Sequence, residues 1–161
     1  VPGRRFSNVR PFISRGNVLF ESDIKDTAKL EAMLEQAWPT KLGFNSTTIV
    51  RSQKQLQELL TTNPFDGAKH SRDTYLLVTF FKQPPSSDLK FPFYPQNREY
   101  KLLGMFTGSL CSKIDTTSGK TRNLMAWLEK QYGLGITSRT WNTVTRILQK
   151  MEWLRPTGLS F

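Results

Sequence analysis

Four adjacent residues near the end of the chain, Arg139-Thr140-Trp141-Asn142, combine a guanidinium, a hydroxyl, an indole and an amide at the start of a predicted helix. The first turn of a helix has free backbone N–H groups and a positive dipole end, and an arginine can fork onto a phosphate or carboxylate. The run therefore predicts an anion site. The alternative is that Thr140 caps the helix, Trp141 packs against the sheet and Asn142 bonds to nearby backbone.

Two other stretches interleave basic or polar residues with aromatic ones. One carries Arg15 and Asn17, and the other carries Arg98 and Lys101. Aromatic faces can stack on unpaired bases while arginine and lysine neutralise phosphates. These residues, together with the run at Arg139, predict a polyanion-binding surface. The alternative is that the aromatic side chains pack beneath the proline-rich segment.

The chain is basic, and the charge is unevenly distributed. Its 161 residues carry a formal net charge of +10, with four arginines and no acid in residues 1–20 and eleven bases against four acids in residues 89–161. Excess positive charge favours nucleic acid, anionic surfaces or acidic partners without choosing among them. A basic surface without a dedicated ligand is the alternative.

Several common active sites find no support in the sequence. Cys111 is the single cysteine and His70 the single histidine, which excludes internal disulfides and cysteine-rich zinc sites. The sequence G-K-T at 119–121 lacks the earlier glycine of a phosphate-binding loop. We therefore predict no cofactor and no metal, and a non-enzymatic role is favoured over catalysis. No apolar run is long enough for a membrane span, and a cytoplasmic location is predicted.

Apolar spacing and turn residues predict an alternation of strands and helices. A proline-rich loop covers 82–97. The predicted elements, in chain order, are two short strands within 8–22, a helix capped by Ser22 or Asp23 and ended by Pro39 and Gly43, a strand over 46–52, a helix over 52–62, a strand over 74–81, a hairpin or long bent strand over 98–114, a helix over 118–133, a strand over 135–140 and a helix over 140–154.

An internal repeat links two of these junctions. The segments TTIVRSQKQLQELL and GITSRTWNTVTRIL align without gaps, so that Arg51-Ser52 falls on Arg139-Thr140. Both segments predict a strand, an arginine, a hydroxyl cap and an amphipathic helix. The repeat indicates two similar α/β units in tandem.

Three segments of the chain resemble the bacterial domain-of-unknown-function family DUF1697. They are SRGNVLFES at 14–22, VRSQKQLQELLTTNPF at 50–65 and TSRTWNTV at 137–144, the last similar to a closing motif T-[ST]-R-N-W-N-T-V. The resemblance runs from about Asn8 to Lys150. It implies two ferredoxin-like βαββαβ units side by side, and it brings no established catalytic or ligand-binding residues.

The chain also departs from the family pattern. The opening strand with its R-G-[IV]-N motif and the helix after it are missing, and Thr140 stands where the family usually has asparagine. The proline-rich segment replaces the helix expected after YLLVTFF.

The prediction is an α+β protein of two ferredoxin-like (alpha-beta plait) units, 1–66 and 67–155, with a tail at 156–161. The first unit lacks its first strand and helix. The leading function is a non-enzymatic binding module for single-stranded nucleic acid or another polyanion. The alternatives are a protein-interaction or dimerisation module, and an uncharacterised enzyme with an anion site near Arg139.

Overall fold

The computed structural model of the chain describes residues 7–11, 16–42, 47–86, 89–95, 99–117 and 123–154. These ranges form an α+β structure, which confirms the predicted class. Its elements are β1 (Ser7–Pro11), β2 (Val18–Glu21), α1 (Thr27–Leu42), α2 (Gln53–Thr61), β3 (Thr74–Phe81), β4 (Tyr100–Phe106), β5 (Ser109–Asp115), α3 (Asn123–Tyr132), β6 (Ile136–Thr140) and α4 (Trp141–Leu154).

Two antiparallel sheets are present. Strands β1 and β2 form a two-stranded sheet, and the other four strands are ordered β4-β5-β3-β6 with every neighbouring pair antiparallel. The apolar run of β3 is central because both of its neighbours hydrogen-bond to it. In this register Val78 of β3 lies between Cys111 of β5 and Arg139 of β6.

Both faces of the four-stranded sheet are covered. On one face Leu76, Val78 and Phe80 pack against α2 and α4. On the other face Leu77 and Phe81 pack against α3 and the proline-rich segment. In the first of these cores, leucines of α2 pack against the sheet. This core therefore contains side chains from both predicted units, 1–66 and 67–155.

Residues 82–86 and 89–95 of the proline-rich segment form a loop, as predicted, and aromatic side chains of this loop cover the second core. Phe93 exchanges two backbone hydrogen bonds with Leu102 of β4, at 3.0 and 2.8 Å. Its ring lies 5.8 Å from the ring of Trp127 on α3. Leu89 and Phe91 pack against the same core. Apolar side chains of a loop thus cover this face of the four-stranded sheet, in place of the helix of the family pattern.

The prediction of a strand over 46–52 is wrong for residues 47–52, which pair with no strand. The backbone N–H groups of Thr48 and Val50 donate instead to the carboxylates of Glu35 and Glu31 on α1, at 2.9 and 3.4 Å. Since backbone donors need acceptors, side chains have taken the role of a neighbouring strand.

The first helix begins later than predicted and is not ended by Pro39, although its last residue, Leu42, directly precedes the predicted end at Gly43. Asp26, rather than Ser22 or Asp23, accepts at the start of α1, from the N–H of Lys29 at 3.2 Å. Pro39 lies inside the helix, which continues to Leu42. The region 98–114 is a hairpin rather than a bent strand, and its turn at Thr107-Gly108 places both residues at positive φ.

Candidate functional site

The start of α4 is a capped helix end. The Thr140 hydroxyl accepts a hydrogen bond from the N–H of Thr143 at 3.3 Å and donates to the Thr143 hydroxyl at 3.0 Å. Trp141 packs edge-to-face on Phe65, with the ring centroids 5.1 Å apart. Thr140 therefore serves as the helix cap. Asn142 is exposed, and its carbonyl accepts from the hydroxyl of Thr145 at 2.9 Å.

Arg139 joins β6 to the turn that precedes β2. Its Nε donates to Asn17 Oδ1 at 2.8 Å, and its Nη2 donates to the Gly16 carbonyl at 3.2 Å. Its Nη1 donates to Thr137 Oγ1 at 2.6 Å and to the Ser138 carbonyl at 2.8 Å. Four of the five guanidinium N–H groups are thereby used, and one on Nη2 has no acceptor among the residues that the structure describes. Two of the segments that resemble the family, at 14–22 and 137–144, thus meet at one side chain.

The charge of Arg139 has no counter-charge beside it. Within the described ranges no carboxylate lies within 4.0 Å of its guanidinium. Burial lowers the pKa of Arg139 below its ordinary value, with no opposing contribution from an acid. An arginine nevertheless stays protonated in a protein. A partly buried positive charge is therefore held by neutral oxygen atoms alone.

Gly16 is the residue that allows this approach. Its φ is +95°, a backbone conformation that favours glycine. A Cβ atom placed on it would lie 3.2 Å from Nη2 of Arg139. The glycine-asparagine pair at 16–17 thus has two roles, since Gly16 admits the guanidinium and Asn17 accepts from it.

Arg51, the residue that the repeat aligns with Arg139, lies in a different electrostatic environment. It donates to the Val50 carbonyl at 2.8 Å and to the Phe81 carbonyl at 2.5 Å, and its guanidinium lies 5.6 Å from the centre of the Phe80 ring. Burial lowers the pKa of Arg51, and the charge of Glu31 opposes that effect. The charge of an acid therefore influences Arg51, although in the described ranges no carboxylate lies within 4.0 Å of its guanidinium either.

The two arginines line one cleft of about 140 Å³. It lies between residues 16–17, the start of β2, the end of β6, the first half of α2, and α4. Asn17 also lines it, is 9% exposed, and has an Nδ2 group with no hydrogen-bond partner among the described protein atoms. The hydrogen bond from Arg139 to Oδ1 fixes the orientation of that amide. The remaining lining side chains are mostly apolar: Val18, Leu19, Ile49, Leu56, Phe80, Val144, Ile147 and Met151, with Thr137 as a further polar member.

The structure brings only some of the predicted site residues together. Asn17 and Arg139 are in contact, whereas Lys101 lies on β4 at the opposite edge of the sheet. Three strand spacings separate β4 from β6, or roughly 14 Å. Arg15 and Arg98 lie outside the described residues. The predicted set therefore does not form one compact site within the described ranges.

Sequence reasoning missed two charged residues that the structure makes prominent. Glu31 is 4% exposed on α1, and Lys113 of β5 lies directly opposite Lys101. A buried glutamate has no signature in a single sequence. The alignment of Arg51 with Arg139, however, was a signal that both arginines could face a common space.

The residues with nucleophilic or metal-binding chemistry are engaged elsewhere. Cys111 is buried, which raises the pKa of its thiol to about 12. His70 Nδ1 accepts from the N–H of Leu76 at 3.1 Å, and its ring stacks on Tyr75. In the described part of the chain, no three residues among histidine, cysteine, aspartate and glutamate are placed to hold a metal ion. No helix there has the length and apolar character needed to cross a bilayer.

Comparison with known proteins places the chain in a family. Residues 3–100 match the family described as protein of unknown function DUF1697, which confirms the resemblance drawn from the sequence. The chain belongs to that family. No curated protein and no solved structure matches it significantly.

Proposed function

We propose that this member of the DUF1697 family is a non-enzymatic binding module for an anionic ligand, with the anion received by Arg139 and Asn17. The observation that carries the proposal is the partly buried guanidinium of Arg139, which has no carboxylate within 4.0 Å in the described ranges. A charge removed from water is costly unless it is both hydrogen-bonded and paired with an opposite charge. An anion in the cleft supplies the missing charge.

The donors at this position suit a small anion. One Nη2 hydrogen of Arg139 and the two Nδ2 hydrogens of Asn17 are without protein acceptors among the described atoms. Hydrogen bonds from an ionised donor to an anion are stronger than neutral ones. The four internal bonds of Arg139 hold the guanidinium in one orientation, so little rotamer freedom is lost when the anion binds.

The test replaces Asn17 by aspartate. Asn17→Asp keeps an oxygen that accepts from Nε of Arg139 and adds a carboxylate at the position of the free amide. We expect the variant to be at least as stable as the parent protein, because the charge is now balanced, and to bind phosphate or acetate about tenfold more weakly. Two-dimensional proton–nitrogen NMR of the Arg139 Nε–H group during anion titration measures the binding.

Asn142→Asp is the matched control. It makes the same change of net charge in the first turn of α4, but Asn142 is exposed and has no described hydrogen bond to Arg139. Binding should survive in this variant. Equal loss in both variants would place the anion at the helix start rather than beside Asn17, and unchanged binding in Asn17→Asp would refute the proposal.

A polyanion such as single-stranded nucleic acid is a second candidate ligand. It is supported by the net charge of +10 and by Lys101 and Lys113, which lie opposite each other on β4 and β5. Like charges in directly opposite positions destabilise a sheet, and a bound phosphate would relieve the repulsion. Because helices and the proline-rich segment cover both faces of the four-stranded sheet, bases have no open face of that sheet on which to stack.

Fluorescence anisotropy with short single-stranded RNA and DNA at two salt concentrations tests this candidate. Binding through phosphates should weaken steeply with salt, because each contact releases counterions. Lys101→Ala and Lys113→Ala should reduce the salt slope, whereas Lys54→Ala on the exposed side of α2 should not. Absence of binding at low salt would eliminate nucleic acid.

A protein-interaction or homodimer role is the third candidate. Val9 and Val18, on neighbouring strands of the two-stranded sheet, are 61% and 47% exposed. A short sheet with exposed valines is a surface that a second chain can cover. A molecular mass that rises with protein concentration would favour this role. Catalysis near Arg139 and a cytoplasmic location stay predictions.

We propose in addition that residues 67–155 form a ferredoxin-like unit, and that residues 1–66 belong to a second one. Support comes from the strand order β4-β5-β3-β6, the antiparallel neighbours and the helix α3 between β5 and β6. This order is that of a βαββαβ unit whose first helix is replaced by the proline-rich segment. The coverage of the same sheet face by that segment and α3 agrees with the substitution.

A further inference from the structure

The cleft is polar at one end and apolar over most of its wall, which restricts the kind of anion it suits. Arg139 and Asn17 supply the donors, while Leu56, Phe80 and Val144, all less than 9% exposed, line the space together with Ile147 and Met151. A fully hydrated ion such as sulfate would leave these apolar groups without a partner. We propose, on the basis of the function proposed above, that the ligand is a small monocarboxylic acid with a compact apolar body.

The size of that body follows from the volume of the cleft. About 140 Å³ is available. An apolar cavity of similar volume in another protein accepts benzene, which has six carbon atoms. The ligand therefore carries roughly six carbons beyond the bound oxygens.

The head group is a carboxylate because few donors face the anion. A carboxylate has two oxygens, which the one remaining Nη2 hydrogen and the Asn17 amide can satisfy. A phosphate monoester presents three oxygens and up to two charges, and it is usually held by a glycine-rich cradle or a helix start. At the start of α4 the Thr143 N–H is already taken by Thr140. Arg51, which also lines the cleft, already donates to the Val50 and Phe81 carbonyls and lies over the Phe80 ring.

The experiment is a chain-length series on the wild-type protein, with acetate, butyrate, hexanoate and octanoate, followed by NMR and calorimetry. Each buried methylene should tighten binding by about fourfold, and the gain should stop near hexanoate, when the cleft is full. Hexanol and hexyl phosphate are the head-group controls. Both should bind more weakly than hexanoate.

A cavity-filling variant locates the apolar body. Ile147→Trp should weaken hexanoate binding by more than tenfold, about the contribution of two methylenes, and leave acetate binding unchanged. Leu60→Trp is the matched control, since Leu60 is also half-buried against the same core but does not line the cleft. Unchanged acetate binding shows that the larger side chain has not disturbed Arg139, and thermal melts check that both variants are folded.

The outcomes separate this inference from the proposal on which it rests. If acetate and phosphate perturb Arg139 but longer acids bind no more tightly, the anion site stands and the apolar body is refuted. If hexanol binds as well as hexanoate, the apolar cleft stands and the carboxylate head group is refuted. If no anion perturbs Arg139 or Asn17, both proposals fall.

Discussion

The junctions at Arg51-Ser52 and Arg139-Thr140 share one sequence pattern but differ in how the arginine is balanced. Arg51 bonds to two backbone carbonyls, lies over the Phe80 ring and is influenced by the charge of Glu31. Arg139 makes twice as many described hydrogen bonds, and burial lowers its pKa with no contribution from an acid. Neither guanidinium has a described carboxylate within 4.0 Å.

This difference separates a structural arginine from one that can serve a ligand. Hydrogen bonds to neutral acceptors fix a guanidinium in place but do not cancel its charge. The charge of an acid farther away offsets part of the cost of burying the guanidinium, as that of Glu31 does for Arg51. The same sequence pattern therefore has two uses, and the acid that decides between them belongs to α1, distant in the chain from both junctions.

The largest contrast is expected between Arg51→Ala and Arg139→Ala as the pH changes. Each loses charged hydrogen bonds and should lower the free energy of unfolding by about 2 kcal/mol. At pH 8, Arg51→Ala should cost about 1 kcal/mol more, because Glu31 then has no nearby arginine. Burial already raises the pKa of Glu31 in the folded protein. The free energy of unfolding of Arg51→Ala therefore falls as the pH rises through this raised pKa. Urea unfolding at pH 5 and pH 8 measures the free energy of unfolding of both variants.

Glu31→Gln is the control for this contrast. The amide keeps an oxygen for the Val50 N–H and removes the charge. In the Arg51→Ala background it should abolish the extra loss at pH 8. If Arg139→Ala shows the same pH dependence as Arg51→Ala, the two junctions are electrostatically alike and our distinction is wrong.

An intermediate effect is expected for Gly16→Ala, with Gly67→Ala as its partner. Both glycines have positive φ, which costs alanine about 1 kcal/mol. Only Gly16 would bring its Cβ to 3.2 Å from a guanidinium, whereas Gly67 has open space around it. Gly16→Ala should therefore lower the free energy of unfolding by about 1 kcal/mol more than Gly67→Ala does. Thermal melts of both variants, and of Gly16→Ala combined with Arg139→Ala, check that the excess depends on the arginine.

The smallest effect is expected at the helix caps. Ser52 and Gln55 form a reciprocal capping box at α2, at 3.1 and 2.8 Å. Among the described contacts, the Thr140 hydroxyl at α4 accepts from one backbone N–H, that of Thr143, and its other bond is to the Thr143 hydroxyl. Ser52→Ala should cost about 1 kcal/mol and Thr140→Ala about half as much. If chemical denaturation shows equal losses in the free energy of unfolding, the second hydrogen bond of the capping box adds no stability.

Elements fixed by local pattern could be predicted from the sequence. The strand over 74–81 matches β3 residue for residue because its apolar run is bounded by polar residues on both sides. The buried leucines of α2 follow helical spacing, and the Thr140 cap was one of two stated alternatives. Each of these depends on residues a few positions apart.

Features that depend on distant residues could not be predicted. The segment 47–52 is rich in β-branched residues, yet its N–H groups bond to carboxylates of α1. The opposition of Lys101 and Lys113 depends on the register of a hairpin, and the cleft depends on the approach of Gly16 to Arg139. A single sequence carries no direct record of such pairings.

The bonds from Arg139 to residues 16 and 17 span more than 120 positions of the chain. Closing so long a loop has a high entropic cost, which is recovered only after the segments between have folded. We expect the cleft to be assembled late in folding, once β6 has paired with β3. A ligand bound there would consequently slow unfolding far more than it would speed folding.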